Sequence, residues 1–326
     1  MKAVIAREPG GPDVLELVEH PVPTPKAGEV LIQVAAAGVN RPDLMQRSGL
    51  PTPAGVTDVL GLEVAGTVAA LGSEVSNFAV GDRVMALLSG GGYAEYCVAP
   101  AAHCLPVPSG MPLHDAAAIP EAAFTVWHNL FELGRLSDGD TLLIHGAASG
   151  VGSFAVQCAQ AAGARVIATA GGPQKVAMLQ ALGVWHAIDR HTEDFVEVVE
   201  RCTEGRGVDV VLDNVGGPYV ARNLAAMATG GRHVSLSFLQ GAQITLDLQV
   251  LMRKNLSLTS STLRPKSHAE KACLAQCIRS VFLPWLTSGV VRPQIHTHLP
   301  LAHAAQAHRL LEANANVGKV LLTVGQ

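Results

Sequence analysis

The stretch from Thr141 to Ala170, TLLIHGAASGVGSFAVQCAQAAGARVIATA, limits what this chain can fold into more than any other. It reads as strand, tight glycine loop, helix, strand. Thr141–His145 is a short apolar run of the kind that forms a strand buried on both faces. Gly146 to Gly152 makes the turn. In the following helix Val151, Ala155, Cys158, Ala159 and Ala162 are spaced for one face, and most are small enough to bring the helix close to a sheet. Gly163 ends the helix and Arg165–Thr169 forms the next strand. Such a loop aims backbone N–H groups and the positive end of a helix at a phosphate. That is the dinucleotide half-site of a doubly wound sheet. The loop departs from G-x-G-x-x-G, with Ala147 and Ser149 at the first two glycine places and Gly152 at the third. A plain βαβ crossover is the alternative.

The end of the second strand bears on which nucleotide is held. An NAD site usually places Asp or Glu there, about 20 residues past the loop, on the ribose hydroxyls. The segment here is Ala170-Gly171-Gly172-Pro173-Gln174-Lys175, without an acid. The lack of a carboxylate and the presence of Lys175 favour a 2′-phosphate, although Lys175 also reads as a solvated residue on a first helical turn. Arg190, after the short strand near Ala187–Asp189, offers a second cation. The expectation is NADPH rather than NADH.

The chain has 326 residues, 48% of them hydrophobic and 15% charged, with a net charge of −4. That length suffices for two domains with cores of their own. The mild negative charge argues against nucleic-acid or membrane-surface partners. No apolar run reaches the roughly 18 residues of a membrane span. Met1 leads straight into the strand-like MKAVIA, so no signal peptide and a cytoplasmic location are expected. The six cysteines form no C-x-x-C pair and read as reduced thiols.

Residues 1 to about 120 read as short strands with frequent Gly and Pro punctuation, a barrel-like β domain. Lys2–Ala6, Leu15–Val18, Val30–Ala36, Leu62–Leu71 and strands near Arg83 and Tyr96 belong to it. Asn40–Arg47 reads as a short helix. Leu113–Ala118 and Glu121–Leu133 read as helices leading to the key strand. From Thr141 to about Leu263 strands and helices alternate, which implies a parallel sheet with ligand at the carboxyl ends of its strands. Those ends are expected at Gly146, Ala170, Asn214 and Phe238, the last closing a strand Arg232–Phe238. A long helix to Ser288, a strand near Pro293–His298, a helix Ala302–Glu312 and a strand Lys319–Val324 are expected to rejoin the first domain. The expected division is 1–120 with 265–326, and 121–264. Gln243–Thr259, apolar and β-rich near the end of the sheet, reads as an edge needing a cover.

The strings GVNRPDLMQRSG, LGLEVAGTVAALG, VGDRVMALLSGGGYAEY, AAIPEAAFTVWHNL, HGAASGVGS, GGRHVSLS and NVGKVLLTV follow one another over nearly the full length. On them the chain resembles the medium-chain dehydrogenase/reductase superfamily, in its zinc-free, zeta-crystallin-like quinone oxidoreductase branch. The resemblance implies an α/β fold, a doubly wound parallel (Rossmann) sheet plus a discontinuous GroES-like β-barrel domain, and a homodimer paired through the Gln243–Thr259 edge. Zinc-dependent members hold catalytic metal with a Cys after the first core strand and a His in a Gly-His-Glu string. Asn40 and Leu62 stand at those places here. Glu63 alone cannot hold zinc, and His296, His298, His303 and His308 lack ligands between them, so no metal is expected.

Without a Lewis acid the expected reaction is hydride transfer from NADPH to an acceptor already electrophilic, a quinone or conjugated enone. By resemblance Asn40 and Thr125 contact the nicotinamide; as plain residues they read as a turn residue and a packed helix residue. Ser149, Gly150 and Val151 hold the pyrophosphate. Gly171, Lys175 and Arg190 surround the 2′-phosphate, with Arg190 at a place where the family usually has Tyr. Asn214 meets the adenine-side ribose. Phe238, Leu239, Leu263 and Arg264 reach the carboxamide by backbone groups. Asn316 closes the cleft or caps the preceding helix. Tyr93 and Asp43 are candidate proton donors, with a buried strand aromatic and a helix-start carboxylate as the alternatives. A hydroquinone can also take protons from water. An enone or enoyl-thioester reductase is the second reading, and a non-catalytic NADPH-binding protein, crystallin-like or RNA-binding, the third.

Overall fold

Val30, Ile32, Val34 and Ala36 are buried while Gln33 between them is exposed, the period of two that a half-buried strand requires. This strand is the hub of the first of two compact units. In the computed structural model, residues 1–52 and 55–325 are described. The first unit comprises residues 1–124, 266–287 and 293 onward, and the second 125–265 and 288–292.

In chain order the elements are β1 (Lys2–Ala6), β2 (Leu15–Glu19), β3 (Glu29–Gly38), α1 (Arg41–Arg47), β4 (Glu63–Leu71), β5 (Arg83–Leu87), β6 (Tyr96–Pro100), β7 (Cys104–Pro106), α2 (Leu113–Ala116) and α3 (Pro120–Val126). Then come β8 (Thr141–Ile144), α4 (Gly150–Ala161), β9 (Arg165–Ala170), α5 (Pro173–Ala181), β10 (His186–Asp189), α6 (Phe195–Cys202), β11 (Val208–Asp213), α7 (Tyr219–Ala226), β12 (Met227–Ser235), α8 (Leu248–Lys254) and β13 (Ser257–Ser260). The chain closes with α9 (His268–Ser288), β14 (Ile295–Pro300), α10 (Ala304–Glu312) and β15 (Lys319–Thr323).

In the first unit a seven-stranded sheet runs β14-β15-β3-β4-β5-β7, with β6 also paired to β3. β14 and β15 are parallel and the other pairs antiparallel. Val30, Ile32, Val64, Val84, Tyr93, Cys97, Val320 and Leu322 share one core. Truncating such a leucine to alanine costs about 2–5 kcal/mol.

The second unit holds the expected parallel sheet, six strands in the order β10-β9-β8-β11-β12-β13. This is the doubly wound order, which reverses between β8 and β11 and opens a crevice at their carboxyl ends. Three expectations are corrected. The β-rich edge expected over Gln243–Thr259 is a helix at Leu248–Lys254, started by Asp247 Oδ1 accepting Gln249 N–H at 2.9 Å, and a strand only at Ser257–Ser260. The helix expected at Glu121–Leu133 changes to π-helical geometry at Trp127–Leu133, where Gly134 N–H donates to Asn129 O at 2.9 Å. The strand expected to end at Phe238 ends at Ser235, level with the end of its neighbour β11 at Asp213: Leu236 N–H makes the last ladder bond to Asp213 O at 2.7 Å, and beyond it Ser237 Oγ donates to Asn214 O at 2.6 Å.

Candidate functional site

In the second unit the β8–α4 turn is closed by glycines that admit no side chain. A Cβ on Gly152 would lie 2.7 Å from Ala147 Cα and 2.8 Å from Gly146 O. One on Gly146, whose φ is +61°, would lie 2.7 Å from Asn214 Nδ2. Ser149 caps α4, its Oγ accepting Gly152 N–H at 3.0 Å. Gly150 and Val151 then supply the opening N–H groups of a helix of 12 residues.

The loop after β11 is set by a buried polar network. Asp213 Oδ1 accepts the N–H groups of Val215 and Gly216 at 2.7 and 3.1 Å, and its Oδ2 accepts Asn223 Nδ2 at 3.1 Å. Burial alone would raise the Asp213 pKa, but the bond from His233, the His145 ring and these N–H groups hold it below the usual carboxylate range. Burial pushes His145 down to about 4, so its ring is neutral at pH 7. Its Nε2 lies 2.7 Å from Asn223 Oδ1, which only accepts, so Nε2 carries the hydrogen and Nδ1 accepts from Thr169 Oγ1 at 3.0 Å. Beside this network the Asn214 carboxamide oxygen is buried and accepts no hydrogen bond. Such an atom suits a hydroxyl or amide donor from a ligand.

At the end of β9 a Cβ on Gly171 would lie 2.9 Å from both Arg190 Nε and His191 Nε2. A guanidinium and an imidazole thus converge on one backbone, and Lys175 lies half-buried on the first turn of α5. No acid occurs in the segment itself, but β10 brings one: Asp189 Oδ1 accepts Gly172 N–H at 3.1 Å and His191 N–H at 3.0 Å. Those two bonds hold Asp189 below its ordinary range. A cavity of about 280 Å³ adjoins this cradle, lined by Thr169, Ile188, Arg190, His191, Tyr219 and Arg222 among others. Backbone amides, cations and an unpartnered acceptor are the donor set that an adenine dinucleotide with phosphates requires.

In the first unit the chemistry-bearing side chains are buried. Asn40 caps α1, and Asp43 Oδ2 accepts its N–H at 2.8 Å. Asn40 Nδ2 donates to Glu63 Oε1 at 2.8 Å and to Gly38 O at 3.3 Å, and Lys319 Nζ donates to Asn40 Oδ1 at 2.7 Å. Lys319 is also ion-paired with Glu63, whose Oε2 accepts Glu121 N–H at 2.8 Å. Burial, then the like charge of Glu63, pushes the Glu121 carboxyl up to about 7.

A second chain of bonds continues from Asp43. Tyr93 OH lies 3.0 Å from Asp43 Oδ2 and 3.3 Å from His308 Nε2, and Arg47 lies 3.2 Å from His308 Nδ1. Arginine only donates, so His308 Nδ1 accepts, Nε2–H donates to Tyr93, and Tyr93 donates to Asp43. Burial, then the Arg47 charge, pushes His308 down to about 3 and keeps it neutral. Burial pushes Asp43 up to about 7 against the bonds from Asn40 and Tyr93. Arg47 ends the chain in an ion pair with Glu312.

Asn40, Asp43 and Tyr93 are thus brought together, the last two fully buried with their bonded atoms committed within the protein. Thr125 O accepts Asn129 Nδ2 at 2.8 Å. Phe238 and Leu239 are exposed, and Leu263 and Arg264 half-buried. Asn316 Nδ2 donates to Gly318 O at 2.6 Å, so it holds the turn into β15 rather than capping α10. Sequence reasoning passed over His191, Glu121 and the joint role of Glu63 and Lys319. The available signal was an ionisable residue inside an apolar strand, LEVAG for Glu63 and GKVLL for Lys319, which must find a partner when buried. Among the described residues no three His, Cys, Asp or Glu are gathered as a metal site, and no helix is long and apolar enough to cross a membrane.

Comparison with known proteins gives two domain families. Residues 26–109 match the alcohol dehydrogenase GroES-like domain, and residues 150–279 match the zinc-binding dehydrogenase domain. A mycocerosic acid synthase-like polyketide synthase of Mycobacterium tuberculosis is 34% identical over 98% of this chain, which spans only 15% of that relative's length. The crystal structure of Escherichia coli quinone oxidoreductase complexed with NADPH superimposes with a TM-score of 0.88 at 31% identity, over 99% of this chain and 100% of that one. CurK enoyl reductase gives the same TM-score and identity over 99% of both chains.

Proposed function

The chain belongs to the medium-chain dehydrogenase/reductase family, in its quinone oxidoreductase group, and on that premise we propose that it transfers hydride from NADPH to a small quinone. The observation that carries the cofactor half is the convergence of Arg190 and His191 on Gly171, with Lys175 one helical turn away. Ser149, Gly150 and Val151 receive the pyrophosphate on backbone N–H groups, Gly171, Lys175, Arg190 and His191 the 2′-phosphate, and Asn214 Oδ1 a ribose hydroxyl. Phe238, Leu239, Leu263 and Arg264 address the carboxamide through their backbone, Asn316 shapes the turn into β15, and Asn40 and Thr125 each meet the nicotinamide end.

The bound nicotinamide supplies the hydride from its C4. Asn40 and Leu62 offer neither the thiolate nor the imidazole of the zinc-dependent members. An acceptor that is electrophilic without a metal is therefore the fitting substrate. Reduction of a quinone consumes one hydride and one proton, and the hydroquinone oxygens can draw that proton from water. Tyr93 and Asp43 are assigned to holding α1 and Asn40 in place, since both are enclosed. β13, paired on one side only with β12, is proposed to meet a second copy of the chain, giving a homodimer.

The second reading, an enoyl-thioester reductase, is favoured by the likeness to CurK enoyl reductase. One panel separates the two. Steady NADPH oxidation with 1,4-benzoquinone or 9,10-phenanthrenequinone supports the first; turnover confined to alkenals or crotonyl thioesters selects the second. Tight NADPH binding without turnover on any acceptor identifies a binding protein.

A further inference from the structure

The carboxamide of Asn40 has its orientation dictated by two charges of opposite sign. Lys319 can only donate and the Glu63 carboxylate can only accept. Turning the amide over would set N–H against ammonium and oxygen against carboxylate, so Oδ1 faces Lys319 and Nδ2 faces Glu63. Glu63 and Gly38 O together take both hydrogens of Nδ2. Oδ1 keeps one lone pair. The backbone N–H is committed to Asp43. Asn40 therefore has no donor left and one acceptor site to offer.

Lys319 and Glu63 are nearly or fully enclosed. A buried ion pair is weak evidence of stabilisation, because dehydrating two charges offsets most of their attraction. Holding a third group in one orientation is a use that fits the cost.

We propose that Lys319 and Glu63 are positioning residues that lock Asn40 as a pure hydrogen-bond acceptor, whose ligand partner is a donor on the nucleotide and not the carbonyl oxygen of the acceptor substrate. Nucleotide ribose hydroxyls and the nicotinamide carboxamide N–H₂ are donors of the required kind; a quinone oxygen only accepts. This assignment rests on the reading of the protein as a nicotinamide-dependent reductase, and it separates the two ligands at one residue.

The lock is read first without any ligand. In nitrogen-15-labelled protein the Asn40 side-chain amide protons are expected to exchange slowly with solvent, and to lose that protection in Lys319→Met/Glu63→Gln. The double variant removes both charges, so no unpaired buried charge unfolds the unit. Equal exchange in wild type and variant overturns the lock. The partner is then read kinetically: the double variant is expected to raise KM for NADPH about tenfold, the size of one hydrogen bond, with KM for 1,4-benzoquinone unchanged within about twofold. A shift in the quinone KM alone overturns the assignment. In an Asn40→Ala background the same two substitutions should add less than about twofold; multiplying effects would mean that they act by another route. Failure of wild type to bind NADPH refutes the reductase reading, and is seen separately from the exchange result.

Discussion

Gly172 gives its N–H to Asp189 Oδ1 at 3.1 Å, so a carboxylate from β10 closes the turn that follows β9. An acid there would ordinarily hold ribose hydroxyls and repel a 2′-phosphate. Here one oxygen carries two backbone bonds, and Arg190 and His191 stand beside it. Glu193 and Asp194 also line the adjoining cavity, so Arg190 and Lys175 must supply the attraction for a phosphate. Arg190→Ala and Lys175→Ala are each expected to lower kcat/KM with NADPH by about 10- to 150-fold, the equivalent of about 1.5–3 kcal/mol for a charge-assisted contact. The value with NADH should barely change. Equal losses with both nucleotides would refute the 2′-phosphate assignment.

The raised pKa of Asp43 has a sign opposite to that of a salt-bridged carboxylate. Unfolded, Asp43 titrates near 4; folded, at about 7. Between these values the folded state binds the extra proton, so its contribution is fully present below pH 4 and lost as pH rises to about 7. Asp43→Asn keeps an acceptor for Asn40 N–H and Tyr93 OH and does not titrate. Relative to wild type it should gain on the order of 1 kcal/mol per pH unit between about pH 4.5 and 7, then level off. Urea titrations at four pH values measure this; parallel curves would contradict it.

Gly152→Ala places a methyl within 2.9 Å of the Ala147 backbone. Backbone cannot yield as a side-chain tip can, so the turn must open. A loss of about 1–3 kcal/mol in stability is expected, together with weakened NADPH binding in a fluorescence titration. Unaltered binding would show that the turn does not hold phosphate.

Leu248 and Met252 on α8 are 68% and 76% exposed, and Leu258 on the one-sided strand β13 is 40% exposed. This apolar edge is what a second copy would cover. Wild type should sediment as a dimer and Leu258→Lys as a folded monomer with unchanged circular dichroism. A monomeric wild type removes the proposal.

The βαβ unit from Thr141 to Ala170 and the alternation that implies a parallel sheet were legible in the residues themselves. Both depend on neighbours within a few positions, on apolar period and turn glycines. The register at strand ends was less legible. β12 stops at Ser235 because its neighbour β11 ends at Asp213, so the boundary is set by another strand.

The candidate site divides along the same line. Lys175 and Arg190 could be singled out because each sits at the end of a strand or the start of a helix, where local rules apply, whereas Asn40 and Asn214 were singled out by the family resemblance. That Lys319 bonds Asn40 across 279 positions, that Tyr93 is sealed between Asp43 and His308, and that Asp189 reaches Gly172 follow from strand order and burial. A charge enclosed away from water must meet its opposite somewhere, and the residues around Lys319 announce that need. Only the packed sheet, which lays β15 against β3, determines which partner answers it.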